Sequence, residues 1–318
     1  MTHKTQPLLS HLLDISSLGY QSLRELLSRA EHFVSKIATN NYMIDTLNGK
    51  IVTNLFFEPS TRTRNSFAIA AHRLGAILID PDLPHSSLTK GESLLDTVRA
   101  FEAMGTSVFI IRHKENDIPA WVAQQLRSHA AVVNAGDGTH QHPTQALIDL
   151  LTIQQHKPNW TALVVAIVGD ILHSRVANSL IDALTLMNVA QIRLLGPAHL
   201  LPETPATSRV TMGHSLQEGL RDVDVVMSLR LQKERMPPDM APEVQAFHDQ
   251  FGLTPEALAW AKPDAIVMHP GPMNRAVEIT SAVADGPQSV IWQQVRNGVA
   301  VRMAVLERAG GASVSHLS

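Results

Sequence analysis

The sequence predicts an α/β protein of two domains, each an open parallel sheet covered by helices, with helices linking the two domains. Short runs of Val, Ile and Leu alternate with longer stretches of helical periodicity, which is typical of parallel strands joined by crossover helices. The length of 318 residues fits two domains at roughly 150 residues each. With 44% hydrophobic and 17% charged residues, the chain has the composition of an ordinary globular protein.

Each element of this prediction rests on a local pattern. A helix over 60–74 is closed by Gly75, a helix over 143–156 bridges the domains, and a long helix over 289–308 ends the fold. The proline-rich stretches "LPETPATSRV" and "KERMPPDMAPE" indicate surface loops. The predicted strands are 51–57, 76–79, 107–111, 131–134, 162–168, 191–195, 223–228 and 265–268, and the predicted domains are 1–142, 143–288 and a C-terminal segment, 289–318, that packs back on the first domain.

Composition excludes several classes of protein. A formal charge of −3 argues against a nucleic-acid partner. The absence of cysteine excludes disulfides, a thiol nucleophile and cysteine-ligated zinc, and it suits a reducing cytoplasm. The first twenty residues lack the continuous apolar core of a signal peptide, and the longest apolar run, 162–168, is too short to cross a bilayer. We therefore expect a cytoplasmic protein with neither a nucleic-acid nor a membrane partner.

Six polar clusters each follow the end of a predicted strand. They read "EPSTRTR", "RH", "NAGDGTHQHPTQ", "GDILHSR", "LRLQKER" and "HPGPMNR". In open α/β sheets, ligands bind beyond the carboxyl ends of the strands. The shared placement therefore predicts that these clusters bind a ligand.

The "STRTR" stretch allows two interpretations. Ser60 could cap a helix while the arginines are solvated, or the hydroxyls, arginines and first backbone amides of the helix could bind an anion. The excess of donors favours an anion site. No "GK[ST]" follows, so a nucleoside triphosphate is not implied. Arg64, two residues after Arg62, points elsewhere on a helix and is interpreted as structural.

Neither a metal site nor a cofactor site is predicted. The pair His140/His142 has no further ligand at metal spacing, and "VGDILHSR" has one glycine, Gly169, in place of a dinucleotide fingerprint. Taken alone, His142 could be a structural histidine, "QKER" a solvated turn and Lys90 an exposed loop residue.

Four motifs together resemble the aspartate/ornithine carbamoyltransferase family over nearly the full length. They are "FFEPSTRTRNSF", "GDGTHQHPTQALIDLLTI", "LRLQKER" and "HPGPMNRAVEI". "QKER" and "HPGP" favour the aspartate branch, because ornithine enzymes typically carry "HCLP". The resemblance implies a carbamoyl-phosphate domain, an aspartate domain, and a homotrimer whose active sites are shared between subunits. It leaves open whether a dihydroorotase-like or regulatory subunit binds.

The resemblance also implies a role for each candidate residue. Arg62, Arg112, His142 and Lys90 are the catalytic candidates, with Arg62 facing the bridging oxygen, His142 donating to the carbamoyl oxygen and Gln145 accepting from the amide nitrogen. The residues expected at carbamoyl phosphate are Ser60, Thr61, Arg62, Thr63, Ser86, Lys90, Arg112, His142, Gln145, Gly271 and Pro272. Those expected at aspartate are Lys90, Arg175, Arg230, Gln232 and Gly271. Ser86 and Lys90 would reach the neighbouring subunit's site.

The expected reaction moves a carbamoyl group from carbamoyl phosphate to L-aspartate, which requires anchoring and alignment of the substrates and no cofactor. We expect the peptide bond between Gly271 and Pro272 to be cis, which would point the backbone carbonyls of Pro270 and Gly271 at the substrate amines. Two alternatives remain: a transcarbamylase for another amine such as ornithine, and a non-catalytic phosphate- or nucleotide-sensing subunit. The presence of both His142/Gln145 and Arg175/Arg230 argues against a sensor.

Overall fold

The computed structural model describes residues 11–38, 43–83, 91–232 and 243–311. The chain divides into two compact units, which we call unit 1 (Met1–Thr144 with Asn297–Ser318) and unit 2 (Gln145–Arg296). Each unit contains a purely parallel sheet accompanied by helices, which confirms the predicted fold class. No helix in the described ranges combines the length and apolar character that a membrane span requires.

The helices and strands alternate along the chain. The strands are β1 Ile51–Phe56, β2 Ile77–Ile79, β3 Thr106–His113, β4 Ala131–Asp137, β5 Val164–Val168, β6 Gln191–Leu195, β7 Val210–Gly213, β8 Val225–Ser228 and β9 Ile266–Met268. The α-helices are α1 Gly19–Ile37, α2 Thr61–Arg73, α3 Leu94–Ala103, α4 Ile118–Gln125, α5 Pro143–His156, α6 Arg175–Leu186, α7 Leu216–Leu220, α8 Val244–Phe251, α9 Pro255–Leu258, α10 Ser281–Ala284 and α11 Ile291–Ala309.

Unit 1 has a four-stranded sheet in the order β2-β1-β3-β4. Its central strands are buried on both faces, as near-continuous aliphatic runs predict for a parallel sheet. Leu55, Phe109 and Val132 belong to one hydrophobic cluster of this unit. In the register of β1 against β3, Phe56 lies opposite Arg112. The polar segments that follow β1 and β3 therefore begin at the same edge of the sheet.

Unit 2 has a five-stranded sheet in the order β7-β6-β5-β8-β9. Val168 lies opposite Ser228, and Met227 lies opposite Met268, so β5, β8 and β9 end at one edge. Phe247 and Phe251 of α8 lie in the hydrophobic cluster of this unit. The Gly271–Pro272 peptide bond after β9 is cis, as the sequence predicts.

All eight predicted strands are confirmed, but the prediction missed β7. This strand is short and lies at the edge of the sheet, and of its four residues only Val210 is buried. It therefore lacks the alternation and the aliphatic run by which a strand is recognised. Its first residue, Val210, is also the last residue of the proline-rich stretch "LPETPATSRV", which indicates a loop.

Within unit 1, the C-terminal part of α11 contacts α1 and α2. The Arg29 guanidinium on α1 makes a bidentate ion pair with Glu307, with Nε–Oε2 at 2.5 Å and Nη2–Oε1 at 2.8 Å. The Glu307 side chain is buried, with 4% exposure. The Arg302 guanidinium stacks over the Phe67 ring of α2 at 5.0 Å. The helix that carries "STRTR" is thus packed against a second helix of the same unit.

The ion pair of Arg29 and Glu307 gives a stability prediction. We expect Arg29→Ala to lower the free energy of unfolding by about 3–5 kcal/mol, because Glu307 would keep a buried charge without its guanidinium partner. Arg24→Ala is the matched control, since Arg24 is an exposed arginine on the same helix, and it should change stability by less than about 0.5 kcal/mol. Urea unfolding followed by circular dichroism measures both values. Equal stabilities of the two variants would contradict the prediction.

Candidate active site

The start of α2 presents several kinds of hydrogen-bond donor. Ser60 occupies the N-cap position, yet its side chain makes no capping hydrogen bond. Thr61 and Arg62 are exposed in the first turn, and Thr63 is buried. Since the first backbone N–H groups of a helix have no partner within the helix and attract negative charge, this turn offers backbone, hydroxyl and guanidinium donors together. The observation favours an anion site over a simple helix cap.

Arg64 takes a different direction from the other polar residues of this turn. Its Nε donates to Asp80 at 2.8 Å from Oδ1 and 3.0 Å from Oδ2, and its Nη2 lies 3.4 Å from the Pro81 carbonyl. This pairing agrees with the structural role predicted from its spacing.

Arg112 is held at the carboxyl end of β3 by two anchors. Its Nη1 donates to the Ala135 carbonyl at 3.2 Å, and its Nη2 donates to Glu58 Oε1 at 3.3 Å. The guanidinium is largely buried, with 12% side-chain exposure. These contacts fix the plane of the guanidinium before any ligand is present.

The segment that leads to His142 is organised by the buried carboxylate of Asp137. Oδ1 accepts from Asn134 Nδ2 at 2.9 Å and from the Gln141 amide at 3.0 Å, and Oδ2 accepts from the Asp117 amide at 2.7 Å. His142 itself is buried, with 4% exposure, directly before α5. Sequence reasoning singled out His142 but missed Asp137, which shapes the turn before it.

One group of side chains in the described ranges could hold a metal ion. It consists of Asp117, Asp137 and His140, whose ligand atoms lie within 4.8 Å of one another. Both oxygens of Asp137 already accept hydrogen bonds, and Asp117 is 72% exposed. His142 is not part of the group. The absence of a metal site therefore stays a prediction.

In unit 2, the ends of β5 and β8 approach closely at Gly169. A Cβ at this position would lie 2.7 Å from the Leu229 carbonyl oxygen, and φ is +129°, so glycine is required. The next residue, Asp170, is buried and accepts from His173 Nδ1 at 2.9 Å and from the Gln232 amide at 3.3 Å. The carboxylate of Asp170 therefore ties the segment after β5 to the segment after β8.

The two arginines predicted at aspartate differ in exposure. Arg175 is the first residue of α6 and is 3% exposed, and Ser174 caps that helix by accepting from the Ala177 amide at 3.2 Å. Arg230 is half-buried and donates from Nη2 to Gln232 Oε1 at 3.1 Å. Both therefore follow the adjacent strands β5 and β8 of the same sheet.

Gln145 lies in the first turn of α5 and is joined to a buried carboxyl group. Its Nε2 donates to Asp149 Oδ1 at 2.8 Å, and the same oxygen accepts from Gln294 Nε2 at 2.7 Å. Burial raises the pKa of the Asp149 carboxyl to about 7, although the two hydrogen bonds favour its charged form. Asp149 and Gln294 were not predicted from the sequence. The spacing of four residues between Gln145 and Asp149 on one helix was the available signal.

The loop after β9 is fixed by a histidine–glutamate pair. His269 Nδ1 accepts from the Gly271 amide at 2.8 Å, so Nε2 carries the proton and donates to Glu278 Oε1 at 3.1 Å. Both side chains are buried, with exposures of 1%. Gly271 is partly buried, and Pro272 is exposed at the end of the turn.

The predicted residues that the structure describes lie at or after the carboxyl ends of strands. Ser86 and Lys90 lie outside the described residues, as does the "KER" part of "QKER". Unit 1 carries Ser60, Thr61, Arg62, Thr63, Arg112 and His142, and unit 2 carries Gln145, Arg175, Arg230, Gln232, Gly271 and Pro272.

Two family models match the chain. Residues 10–155 match the carbamoyl-P binding domain of aspartate/ornithine carbamoyltransferase, and residues 162–309 match the Asp/Orn binding domain. The aspartate carbamoyltransferase catalytic subunits of two Coxiella burnetii strains, Dugway 5J108-111 and RSA 493 / Nine Mile phase I, are each 56% identical over 297 residues. Each alignment covers 93% of this chain and 95% of the relative.

Solved structures of aspartate transcarbamoylase from Trypanosoma cruzi are similar in fold. The complex with carbamoyl phosphate is 29% identical, with a TM-score of 0.84, and covers 94% of this chain and 96% of that one. The complex with N-(phosphonacetyl)-L-aspartic acid is 30% identical, with a TM-score of 0.83, and covers 94% and 95%.

The buried carboxyl group of Asp149 predicts a pH-dependent stability. Its folded-state pKa of about 7 lies above the ordinary value of 3.8, so the folded chain binds more protons between these values and loses stability as the pH rises. Asp149→Asn cannot titrate. We expect the stability of this variant relative to wild type to rise by about 1.4 kcal/mol per pH unit from about pH 5 to about pH 7, and then to level off.

Asp249→Asn is the matched control for this measurement. Asp249 is exposed on α8 and accepts from Gln245 Nε2 at 2.7 Å in the same four-residue spacing. Urea unfolding at a series of pH values should show no such slope for this variant. A slope that is the same for both variants would contradict the assignment to Asp149.

Proposed function

The chain belongs to the aspartate/ornithine carbamoyltransferase family, and we propose that it transfers the carbamoyl group of carbamoyl phosphate to the amine of L-aspartate. The products are N-carbamoyl-L-aspartate and phosphate, and we propose that the reaction serves pyrimidine biosynthesis. The observation that carries the proposal is that one chain combines an anion site at the start of α2 with two arginines following adjacent strands of unit 2.

Unit 1 binds the phosphate group of carbamoyl phosphate. The backbone amides at the start of α2, with Ser60, Thr61 and Thr63, hold the phosphate oxygens. Arg62 faces the bridging oxygen, on which negative charge grows as the bond to the carbonyl carbon breaks. Because this charge develops during the reaction, a donor placed there lowers the barrier more than it strengthens binding.

The carbonyl group is polarised and oriented by three side chains. Arg112 and His142 donate to the carbamoyl oxygen, and Gln145 accepts from the carbamoyl amide. The aspartate nitrogen attacks the carbonyl carbon, the new C–N bond forms, and the C–O bond to phosphate breaks. Phosphate leaves with the bonding electrons, and the nitrogen loses a proton. This transfer needs alignment and electrostatic stabilisation, which the side chains of the protein supply.

Unit 2 binds the amino acid. Arg175 and Arg230 supply two guanidinium groups for the two carboxylates of aspartate, and Gln232 orients Arg230. Ornithine has one carboxylate and a cationic side chain, so the same pair of arginines disfavours it. Assaying the purified chain with carbamoyl phosphate and either aspartate or ornithine tests the assignment. Product from aspartate alone is expected, and turnover of ornithine would overturn the assignment, while turnover of neither would favour a sensing subunit.

We further propose a cytoplasmic homotrimer in which Ser86 and Lys90 complete the site of a neighbouring subunit. Residues 1–142 would serve carbamoyl phosphate and residues 143–288 would serve aspartate. The family motifs in this sequence support the proposal. Measuring the mass of the purified chain in solution, alone and in an extract, tests the trimer and reveals any dihydroorotase-like or regulatory partner.

Removal of Arg62 and removal of Arg230 should change the kinetics in different ways. Removing Arg62 should lower turnover at saturation by roughly 10²–10³-fold or more, the scale of losing one preorganised donor. Carbamoyl-phosphate binding should suffer less, because the hydroxyls and backbone amides near Ser60 remain. Arg230→Ala should mainly weaken aspartate binding, because a carboxylate carries its charge before and after the attack.

Initial rates against each substrate, with calorimetry for carbamoyl phosphate, measure these effects. Arg64→Ala is the matched control in α2, because Arg64 pairs with Asp80, and its rates should stay near those of the wild type. Normal saturated turnover in Arg62→Ala, or an unchanged aspartate dependence in Arg230→Ala, would contradict the two assignments.

Shared sites predict complementation between inactive chains. Pure trimers of Lys90→Ala or of Arg62→Ala should be nearly inactive. In each mixed trimer, one interface joins a wild-type Arg62 to a wild-type Lys90, so random mixing of equal amounts should restore about a quarter of wild-type activity. If hybrids form, as native mass spectrometry can establish, and activity does not return, Lys90 does not act across the interface.

A further inference from the structure

A chain of buried hydrogen bonds runs through unit 2 from Gln145 to His269. Gln145 Nε2 donates to Asp149 Oδ1 at 2.8 Å, and Gln294 Nε2 donates to the same oxygen at 2.7 Å. Gln294 Oε1 then accepts from the backbone amide of His269 at 3.1 Å. None of these four residues is more than 9% exposed. One carboxyl oxygen therefore connects the first turn of α5 to the loop that follows β9.

The acceptor oxygen of Asp149 sets the orientation of the Gln145 carboxamide. Oδ1 of Asp149 also accepts from Gln294 Nε2, so this oxygen serves as an acceptor and Gln145 presents its Nε2 to it. The amide plane then turns Oε1, the remaining acceptor, away from Asp149. An acceptor in this position matches the amide nitrogen of a carbamoyl group, which can only donate.

The other end of the chain reaches the turn at Gly271. His269 Nδ1 accepts from the Gly271 amide, and its Nε2 donates to Glu278 Oε1. The Asn274 amide donates to the same glutamate oxygen at 2.5 Å. The turn is therefore tied to His269 at both its start and its end, and the His269 backbone is tied to Asp149 through Gln294.

The burial and hydrogen bonding of Asp149 are typical of a side chain that positions its neighbours. Its side chain is fully buried, and its second oxygen, Oδ2, has no hydrogen-bond partner in the part of the chain that the structure describes. A buried carboxyl group with an unsatisfied oxygen is costly, and an apolar side chain of similar volume would be tolerated if it served packing alone. On the surface, Asp249 makes the same contact to Gln245 without such burial.

We propose that Asp149 is a positioning residue that orients the Gln145 carboxamide towards the carbamoyl amide and, through Gln294, holds the backbone of the turn after β9. This inference rests on the proposed function, since it assumes that both elements contact the carbamoyl group or the attacking amine. It assigns the role to the acceptor oxygen of Asp149. The substitution Asp149→Asn keeps an acceptor oxygen at this position, and Asp149→Leu removes it.

Binding of two ligands separates a positioning role from a structural one. Inorganic phosphate occupies only the anion site of unit 1, while carbamoyl phosphate also presents the amide to Gln145. In calorimetry, Asp149→Leu should lower the affinity for carbamoyl phosphate about threefold to tenfold, which is the range of one lost hydrogen bond. The affinity for inorganic phosphate should stay unchanged. Turnover should fall on the order of a hundredfold through misalignment. Asp149→Asn should stay within about threefold of wild type on both measures.

Two further variants keep the test decisive. Asp249→Leu, the surface control, should change neither binding nor turnover. Gln294→Met retains the length of the side chain and leaves the hydrogen bond from Gln145 to Asp149 in place. It removes both hydrogen bonds of Gln294, the one to Asp149 Oδ1 and the one from the His269 amide. It should lower turnover at least about tenfold with phosphate binding unchanged, because the turn after β9 is no longer held. This variant supplies a readout even if Asp149→Leu does not fold.

Each outcome either supports or overturns the proposal. A folded Asp149→Leu with wild-type turnover and the wild-type ratio of carbamoyl-phosphate to phosphate affinity would overturn it. An Asp149→Asn as impaired as Asp149→Leu, or a Gln294→Met with normal turnover, would also overturn it. The wild-type chain is assayed before any variant. If it makes no carbamoyl aspartate, the proposed function itself is rejected.

Discussion

Parallel strands bring their carboxyl ends to one edge of a sheet, and the helix that follows each strand begins there with unpartnered backbone N–H groups. In unit 1, this constraint puts the start of α2 after the strand that neighbours Arg112. In unit 2, it puts Arg175 and Arg230 after the adjacent strands β5 and β8. Within each unit, donors and cations suited to anionic substrates therefore come together through topology, although their positions in the sequence are far apart.

Buried carboxyl groups accept hydrogen bonds from the segments that carry or flank these donors. Asp137, Asp149, Asp170 and Glu278 are all at most 1% exposed, and each accepts from backbone or side-chain N–H groups. An exposed carboxylate facing the substrates would repel carbamoyl phosphate and aspartate, both of which are anions. Buried and hydrogen-bonded, the same groups hold loops in place.

The sequence predicted the eight strands with clear aliphatic runs and the polar clusters that follow strand ends, because both signals are local. It missed β7, which has one buried residue, and it could not decide whether Ser60 caps α2, since either use needs the same residue. It also missed the supporting carboxyl groups. The contact between Asp149 and Gln294 joins residues 145 positions apart, and a pattern read along the chain contains no trace of such a pair.

The two units achieve their binding geometry in different ways. In unit 1, Thr61 and Arg62 are exposed in the first turn of α2, next to backbone amides that the helix holds in place. In unit 2, Arg175 is 3% exposed, so its desolvation and ordering occur during folding. Because a preorganised group loses little entropy on binding, the buried Arg175 is suited to a carboxylate whose charge is the same before and after the reaction. Arg62 lies in the first turn of α2 beside the backbone amides, where a donor can act on charge that develops as phosphate leaves.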